Sequence, residues 1–444
     1  MSEPAPARRL LIPTPRMLQL WVALLALATL VSVWPALRWL WLGALALTLL
    51  ALAVDALQLW LQAQPQLRRQ HAQALALGVD SEVRLTIEHA GTGALDLTVC
   101  DHVPQHAEVR GLPQTLTLPA GQTAELRYRL RPIQRGDLAF GPVELRIGSP
   151  LGLWRLRVLT GTPGRVRVYP NFTALTRYAL LATDHRLSQL GVLRRRRRGE
   201  GMDFHQMREY REGDTPRQID WKASARMRRL VSREYRDERD QQILLLLDCG
   251  RRMHARDGAL SHLDHALNAA LLLAHVALRQ GDAVGLLSFG GQERYVPPRK
   301  SRLSLQALLA GVYDLQATLH QPDYYAAAVR LLQLQRKRSL VVLISNLRDE
   351  DDDTLLPAIS LLRQRHLVVL ASLRERILDD ALVAPVEGLD QALTHAATAQ
   401  YLEHRRRSFA RLEQARIPCL DVEPQALPIA LVNRYTELKR RGAI

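Results

Sequence analysis

Two long apolar runs open the chain, and an alternating pattern follows them. Met17 to Trp34, MLQLWVALLALATLVSVW, contains no charge. After Pro35 to Arg38, the run from Trp39 to Trp60 carries Asp55 as its only charge. Each run is long enough to cross a hydrocarbon core of about 30 Å at roughly 1.5 Å per residue. Trp21, Trp34, Trp39, Trp41 and Trp60 lie mostly near the run ends, where interfacial anchors sit. A cleaved leader would have a shorter apolar core and no second span, and a buried soluble pair would show a polar face. The pattern therefore predicts a transmembrane hairpin over 17–61, with spans 17–34 and 39–60. Arg8, Arg9 and Arg16 precede it, Arg68 and Arg69 follow it, and only Arg38 lies between the spans. The positive-inside rule then puts both termini and the soluble domains in the cytoplasm, with 1–16 as a cytoplasmic N-terminus. Asp55 is expected to snorkel to the inner interface.

Downstream, the period is two. Val83, Leu85 and Ile87 form one set, and Leu95, Leu97 and Val99 another. Leu126, Tyr128 and Leu130, then Val143, Leu145 and Ile147, continue it to Val166 and Val168. Gly and Pro punctuate the runs, so about seven short strands predict a β-sandwich over 78–172. After residue 240 the period changes. Continuous apolar strands at Gln241–Leu247, Ala283–Phe289, Leu340–Ser345 and His366–Ser372 alternate with helical stretches at 263–279, 303–315, 324–335 and 391–416. A last strand at 418–422 and a closing helix at 427–441 complete 241–444. This alternation predicts an α/β domain with a mainly parallel, doubly wound sheet, whose ligands bind beyond the carboxyl ends of the strands. Asp248 and Asn346 stand at such ends.

Composition adjusts this picture only slightly. The 444 residues are 47% hydrophobic, enough for two or three cores. A net charge of +16 suits nucleic acid, an anionic membrane face or an acidic protein. Only four of the 60 basic residues are lysines, and Ala/Leu/Arg-rich usage also follows from genome base bias, so the charge alone does not argue for nucleic acid. Cys100, Cys249 and Cys419 are odd in number and widely spaced, so neither a disulfide framework nor a zinc site is indicated, and a reducing compartment fits best.

The junction 173–240 carries the densest charge. Arg194 to Arg198 read first as a solvated loop, then as a contact for anionic lipid headgroups, and last as a nucleic-acid patch, because no aromatic platform accompanies them. Arg208, Glu209, Arg211, Glu212, Asp214, Arg217 and Asp220 could form an ion-pair network, with Trp221 as apolar anchor. The run from Gly201 to Arg226 resembles the signature of a bacterial family known as domain of unknown function 58. The matching residues are Phe204, Arg208, Glu209, Tyr210, Gly213, Asp214, Arg217, Ile219, Asp220, Trp221, Lys222, Ala225 and Arg226. RGDLAFGPVELRIGSPLGLWR (Arg135 to Arg155) and ALVNRYTELKRRG (Ala430 to Gly442) also look like segments of that family. The resemblance implies a bacterial inner-membrane protein with a von Willebrand factor A-like domain after the signature. It implies a MoxR-type AAA+ ATPase, or that ATPase's client, as partner, and no established enzymatic activity.

Metal-binding von Willebrand A domains use an Asp-x-Ser-x-Ser turn after the first strand, with a threonine and an aspartate from other loops. Here the turn reads Asp248, Cys249, Gly250, Arg251, Arg252. Gly250 offers no ligand, and Arg252 brings a permanent cation. The later aspartate position is Asn346, and Pro322 to Val329 contains no threonine, leaving Asp323 as the nearest oxygen ligand. A degenerate site without magnesium or other cofactor is expected, with Asp248 pairing with Arg252 or a junction arginine. The acidic run Asp349 to Asp353 reads as a solvated loop. Cys249 with His254, His262 and His265 invites a nucleophile, but no HExxH or Walker-type motif occurs. The leading expectation is a membrane-anchored, non-enzymatic adaptor touching lipid and a protein partner, with no nucleic acid. The alternatives are a membrane-bound hydrolase using Asp248, Cys249 or junction carboxylates, and a basic lipid- or nucleic-acid-binding protein.

Overall fold

The computed structural model describes residues 8–171, 203–210, 219–236, 241–301, 303–348 and 351–443. It divides into two compact units, Met1–Tyr169 and Pro170–Ile444.

The first unit begins with strand β1 (Arg8–Pro13), then helices α1 (Pro15–Val33) and α2 (Arg38–Leu61). Thr14 caps α1, and Pro15 occupies its first turn, where a missing N–H costs nothing. Both helices are long and apolar enough to cross a membrane. Eleven strands follow: β2 (Gln66–Gln70), β3 (Ala74–Ala76), β4 (Ser81–Glu88), β5 (Leu95–Asp101), β6 (Ala107–Arg110), β7 (Gln114–Leu118), β8 (Thr123–Pro132), β9 (Gly136–Phe140), β10 (Val143–Gly148), β11 (Trp154–Thr160) and β12 (Gly164–Tyr169). They form sheets ordered β1-β11-β10-β5-β7, β2-β4-β8-β6 and β3-β12-β9. The period-2 residues of β4 and β5 are buried, while their neighbours in sequence are largely not, which gives each sheet an inner face.

Two expectations are corrected in this unit. Residues 8–13, expected only as part of a cytoplasmic tail, form the edge strand β1 and pair antiparallel with β11, Arg9 opposite Val158 and Leu11 opposite Leu156. Asp55 does not snorkel. It is fully buried, accepting hydrogen bonds from Ser149 Oγ (2.6 Å) and from the amides of Leu151 (2.9 Å) and Leu153 (3.2 Å). The turn between β10 and β11 thus clasps α2. Trp154 Nε1 donates to the Leu52 carbonyl (3.0 Å), and Thr14 Oγ1 to that of Gly152 (2.7 Å), in the same joint. The charge in an apolar helix is compensated by a loop almost a hundred residues away, beyond the reach of local pattern.

In the second unit, β13 (Asp203–Glu209) and β14 (Val231–Arg236) form an antiparallel pair, connected through α3 (Trp221–Met227). Then come β15 (Gln242–Asp248), the short ladder β16 (Arg256–Asp257) and β17 (Leu260–Ser261), α4 (His262–Arg279), β18 (Ala283–Phe289), β19 (Tyr295–Arg299), α5 (Ser304–Val312) and α6 (Tyr324–Leu334). The unit ends with β20 (Leu340–Ser345), α7 (Asp352–Arg363), β21 (Leu367–Leu373), α8 (Arg376–Val383), α9 (Leu389–Gln414), β22 (Cys419–Val422) and α10 (Leu427–Arg440). The main sheet runs β19-β18-β15-β20-β21-β22; every pairing is parallel except β19 on β18, so the sheet is mixed.

Strand alternation divides the core between the two faces. Ile243, Leu245 and Leu247 of β15 pack with α4, α5 and α10, while Leu244 and Leu246 pack with α6 and α7. Both faces are covered, which is why the central strands read as unbroken apolar runs. Ser261 and Asp264 cap α4 reciprocally, each side chain accepting from the other's backbone amide (3.1 and 2.9 Å). At the far end, Tyr435 Oη and Lys439 Nζ (2.6 Å) both donate to the buried carboxylate of Asp282, fastening α10 to the turn before β18.

Candidate functional site

From β15 the chain crosses first to β18 on one side, then to β20 on the other. The carboxyl ends of β15 and β20 therefore flank a topological switch point, the usual ligand position in such sheets. Asp248 ends β15, and Asn346 follows β20; both are fully buried.

The oxygens of Asp248 are already engaged. Its Oδ1 accepts from the Gly250 amide (2.7 Å), and its Oδ2 from Ser345 Oγ (2.6 Å), which also contacts Tyr324 Oη at 2.8 Å. Burial pushes the Asp248 carboxyl up to about 6, against the pull of the Ser345 and Gly250 hydrogen bonds. Gly250 is required by close approach: a Cβ there would stand 2.8 Å from Pro322 Cδ and 3.0 Å from Asp248 Oδ1. Gly290, at φ +74°, comes as near from the other side, its would-be Cβ 2.9 Å from the same oxygen. Thr318 Oγ1 sits beside this loop and donates to the Gly290 carbonyl (2.7 Å).

Arg252 lies on a short 3₁₀ turn, Arg251–His254, and points inward. Its partner is Asp351, not Asp248 as expected; both side chains are almost fully buried in a short charge-assisted hydrogen bond. Asp351 also accepts from the Arg348 amide at 2.9 Å. The acidic run is therefore corrected as well: Asp351 is buried, and α7 begins at the next residue, while 349–350 lie outside the described residues. Carboxylates in the first turn of a helix suit its dipole.

Asn346 faces a second polar group. Its Nδ2 donates to Glu375 Oε1 (2.9 Å) and lies 3.3 Å from His262 Nδ1. Asn346 Oδ1 and His262 Nε2 are buried without a hydrogen-bond partner. Burial holds the His262 imidazole below its ordinary value, hence neutral. Arg405, from α9, binds the strand ends together: it donates to Ser372 Oγ (2.7 Å), the Leu373 carbonyl (3.0 Å) and Asp421 (2.7 Å). Sequence reading missed this residue. The signal was its place in the buried stripe Thr398, Leu402, Arg405, Ser408 and Leu412, spaced three and four apart.

Magnesium wants near-octahedral oxygen ligation. Here both Asp248 oxygens accept from protein donors, the would-be second ligand is crowded out at Gly250, and the guanidinium of Arg252 lies close by. This donor set does not fit a divalent ion. Among the described residues, no group of three or more His, Cys, Asp or Glu side chains has a metal-holding arrangement. Cys249 is fully buried.

The signature residues assemble elsewhere in the unit. Arg208 and Glu209 lie on β13, and the Tyr210 amide donates to the Leu230 carbonyl at 2.9 Å. Glu209 is 3.8 Å from Arg229. Asp220 caps α3, its Oδ1 accepting from the Ala223 amide at 3.0 Å. Lys222 and Arg226 are exposed. Trp221, expected as an apolar anchor, is 67% exposed. Gly213, Asp214 and Arg217, with Arg211, Glu212 and Arg194 to Arg198, lie outside the described residues.

Comparison with known proteins places these observations among relatives. The chain is 24% identical over 180 residues to the uncharacterized protein YeaD of Bacillus subtilis strain 168, covering 39% of this chain and spanning 41% of that relative's length. An aerotolerance-related membrane protein from Bacteroides fragilis aligns over 44% of this chain and 99% of its own, at 15% identity and a TM-score of 0.29. A FixG-related protein from Vibrio parahaemolyticus aligns over 24% of this chain and 97% of its own, at 9% identity and a TM-score of 0.19. The match to a family model runs from within β13 through α3 and β14 to the strand tips: residues 206–416 match the family described as Protein of unknown function DUF58.

Proposed function

We propose that the protein is a membrane-anchored, non-enzymatic adaptor whose α/β unit, read as von Willebrand A-like, docks a protein partner. Following the family resemblance, the partner is a MoxR-type AAA+ ATPase or its client, at the bacterial inner membrane, with both termini on the cytoplasmic side. Support for the anchor comes from the two apolar helices. Support for a binding rather than chemical role comes from the strand tips, where each Asp248 oxygen accepts a hydrogen bond from the protein and Cys249 is buried.

One observation carries the docking reading. Directly after β21, helix α8 buries none of its residues, and no residue between Val383 and Leu393 is buried either. Ile377, Val383, Leu389 and Leu393 are large, apolar and exposed, with Val383 at 85%. An uncovered apolar arm beginning at the carboxyl edge of the sheet has the character of an interface core. The test is affinity purification of the detergent-solubilised chain with the MoxR-type ATPase, in the presence of nucleotide. Ile377→Asp with Leu389→Asp should lower ATPase recovery about ten-fold or more, without changing yield of the protein itself. No ATPase recovered with the unaltered chain would sink the proposal.

A further inference from the structure

The signature segment carries a surface the adaptor reading leaves unexplained. Around α3, four large apolar side chains are exposed: Met207, Trp221, Met227 and Leu230, with Trp221 the most open. Lys222, Arg226, Arg228 and Arg229 stand among them, all exposed. Of these, only Arg229 has a carboxylate within ion-pair distance among the described residues, Glu209 at 3.8 Å. Asp220 points its carboxylate into the helix cap instead. Exposed tryptophan and aliphatic side chains interleaved with unpaired cations are costly to leave in water. They match the interfacial layer of an anionic bilayer, where rings and aliphatic stems enter the headgroup region and cations meet phosphates.

We infer that the segment Trp221–Leu230 docks on the anionic lipid surface of the membrane in which the chain is anchored. The proposal rests on the hairpin being inserted, because tethering is what raises the local lipid concentration enough for so small a patch. Two features select lipid over an acidic protein surface. The patch's apolar side chains Trp221, Met227 and Leu230 alternate along the chain with Lys222, Arg226, Arg228 and Arg229, which suits a headgroup layer, whereas the core of a protein interface is depleted of charge. Its free cations, in a chain of net charge +16, complement a diffuse negative surface without needing matched carboxylates.

The experiment uses the full chain in nanodiscs, either of phosphatidylcholine alone or with about one-third phosphatidylglycerol, read by hydrogen exchange. In the anionic discs, amides 221–230 should exchange about ten-fold more slowly than in the neutral discs, and added salt at about 0.5 M should remove most of the difference. Lys222→Glu with Arg226→Glu should abolish it while leaving exchange of β15 and β20 unchanged. Equal protection in both discs overturns the lipid assignment but leaves the anchor standing. Failure to incorporate into discs of either composition overturns the anchor, and this inference with it.

Discussion

Two aspartates, one in each unit, are built almost alike and do different work. Asp55 and Asp248 are both fully buried, and each accepts a serine hydroxyl at 2.6 Å and at least one backbone amide. Asp55 binds a turn to a helix and engages three donors from that turn alone. Asp248 ends a strand, in a tip region that also contains the buried Arg252–Asp351 pair. A charge in an apolar run invites a chemical reading in both cases. Their surroundings differ: the first clasps two elements together, and the second is held at a strand tip by the Gly250 amide and the Ser345 hydroxyl.

The comparison can be broken most severely at Arg252. Arg252→Ala leaves Asp351 buried and unpaired, and should cost about 3–5 kcal/mol of local stability, read as faster hydrogen exchange in β15 and β20. Replacing both partners, Arg252→Met with Asp351→Leu, should recover most of that loss. Asp55→Ala strands three donors, two of them buried, and should cost about 2–4 kcal/mol, with Asp55→Asn intermediate. The readout is protease cleavage within 149–153; unchanged resistance would show that the clasp is dispensable.

A pH series probes Asp248. The Asp248 carboxyl is raised in the folded chain to about 6 from an ordinary 3.8, so the folded state holds the proton more tightly than the unfolded one. Its stabilising effect is complete below pH 4 and is lost as pH rises to 6, a change of about 1–3 kcal/mol that Asp248→Asn should flatten. Denaturation followed by β15 exchange at pH 4.5 and 6.5 checks the sign. The smallest effect belongs to a third buried carboxylate. Tyr435→Phe removes one of two donors to Asp282 and should cost about 1 kcal/mol, seen as fraying of α10.

Much of the fold was legible in the sequence because local pattern carries it. The strands β15, β18, β20 and β21 are short apolar runs bounded by polar residues, and α4 has a clear apolar stripe. Helix α7 was missed because its acidic start resembled a loop and Pro357 interrupts it, although Leu355, Ala358, Ile359 and Leu362 keep helical spacing. Of the candidate site, the tip positions of Asp248 and Asn346 could be read. The inward turn of Arg252, the Ser345 hydroxyl and the Arg405 bridge could not. Each depends on contacts between residues far apart in sequence, which periodicity does not encode. Asp55 failed to read for the same reason.

The pairing of β1 with β11 has a consequence in time. During synthesis at about 5–20 residues per second, β1 leaves the ribosome ahead of the other strands of its sheet, and its partner about 140 residues later, after roughly 7–30 s. Within the five-stranded sheet, the edge strand is therefore made first and paired last. Until Trp154–Thr160 emerges, its backbone donors and acceptors remain an open edge, available to any other nascent strand. A product truncated just before β11 would keep that strand unpaired permanently, so it should aggregate more readily than a product ending just after β11.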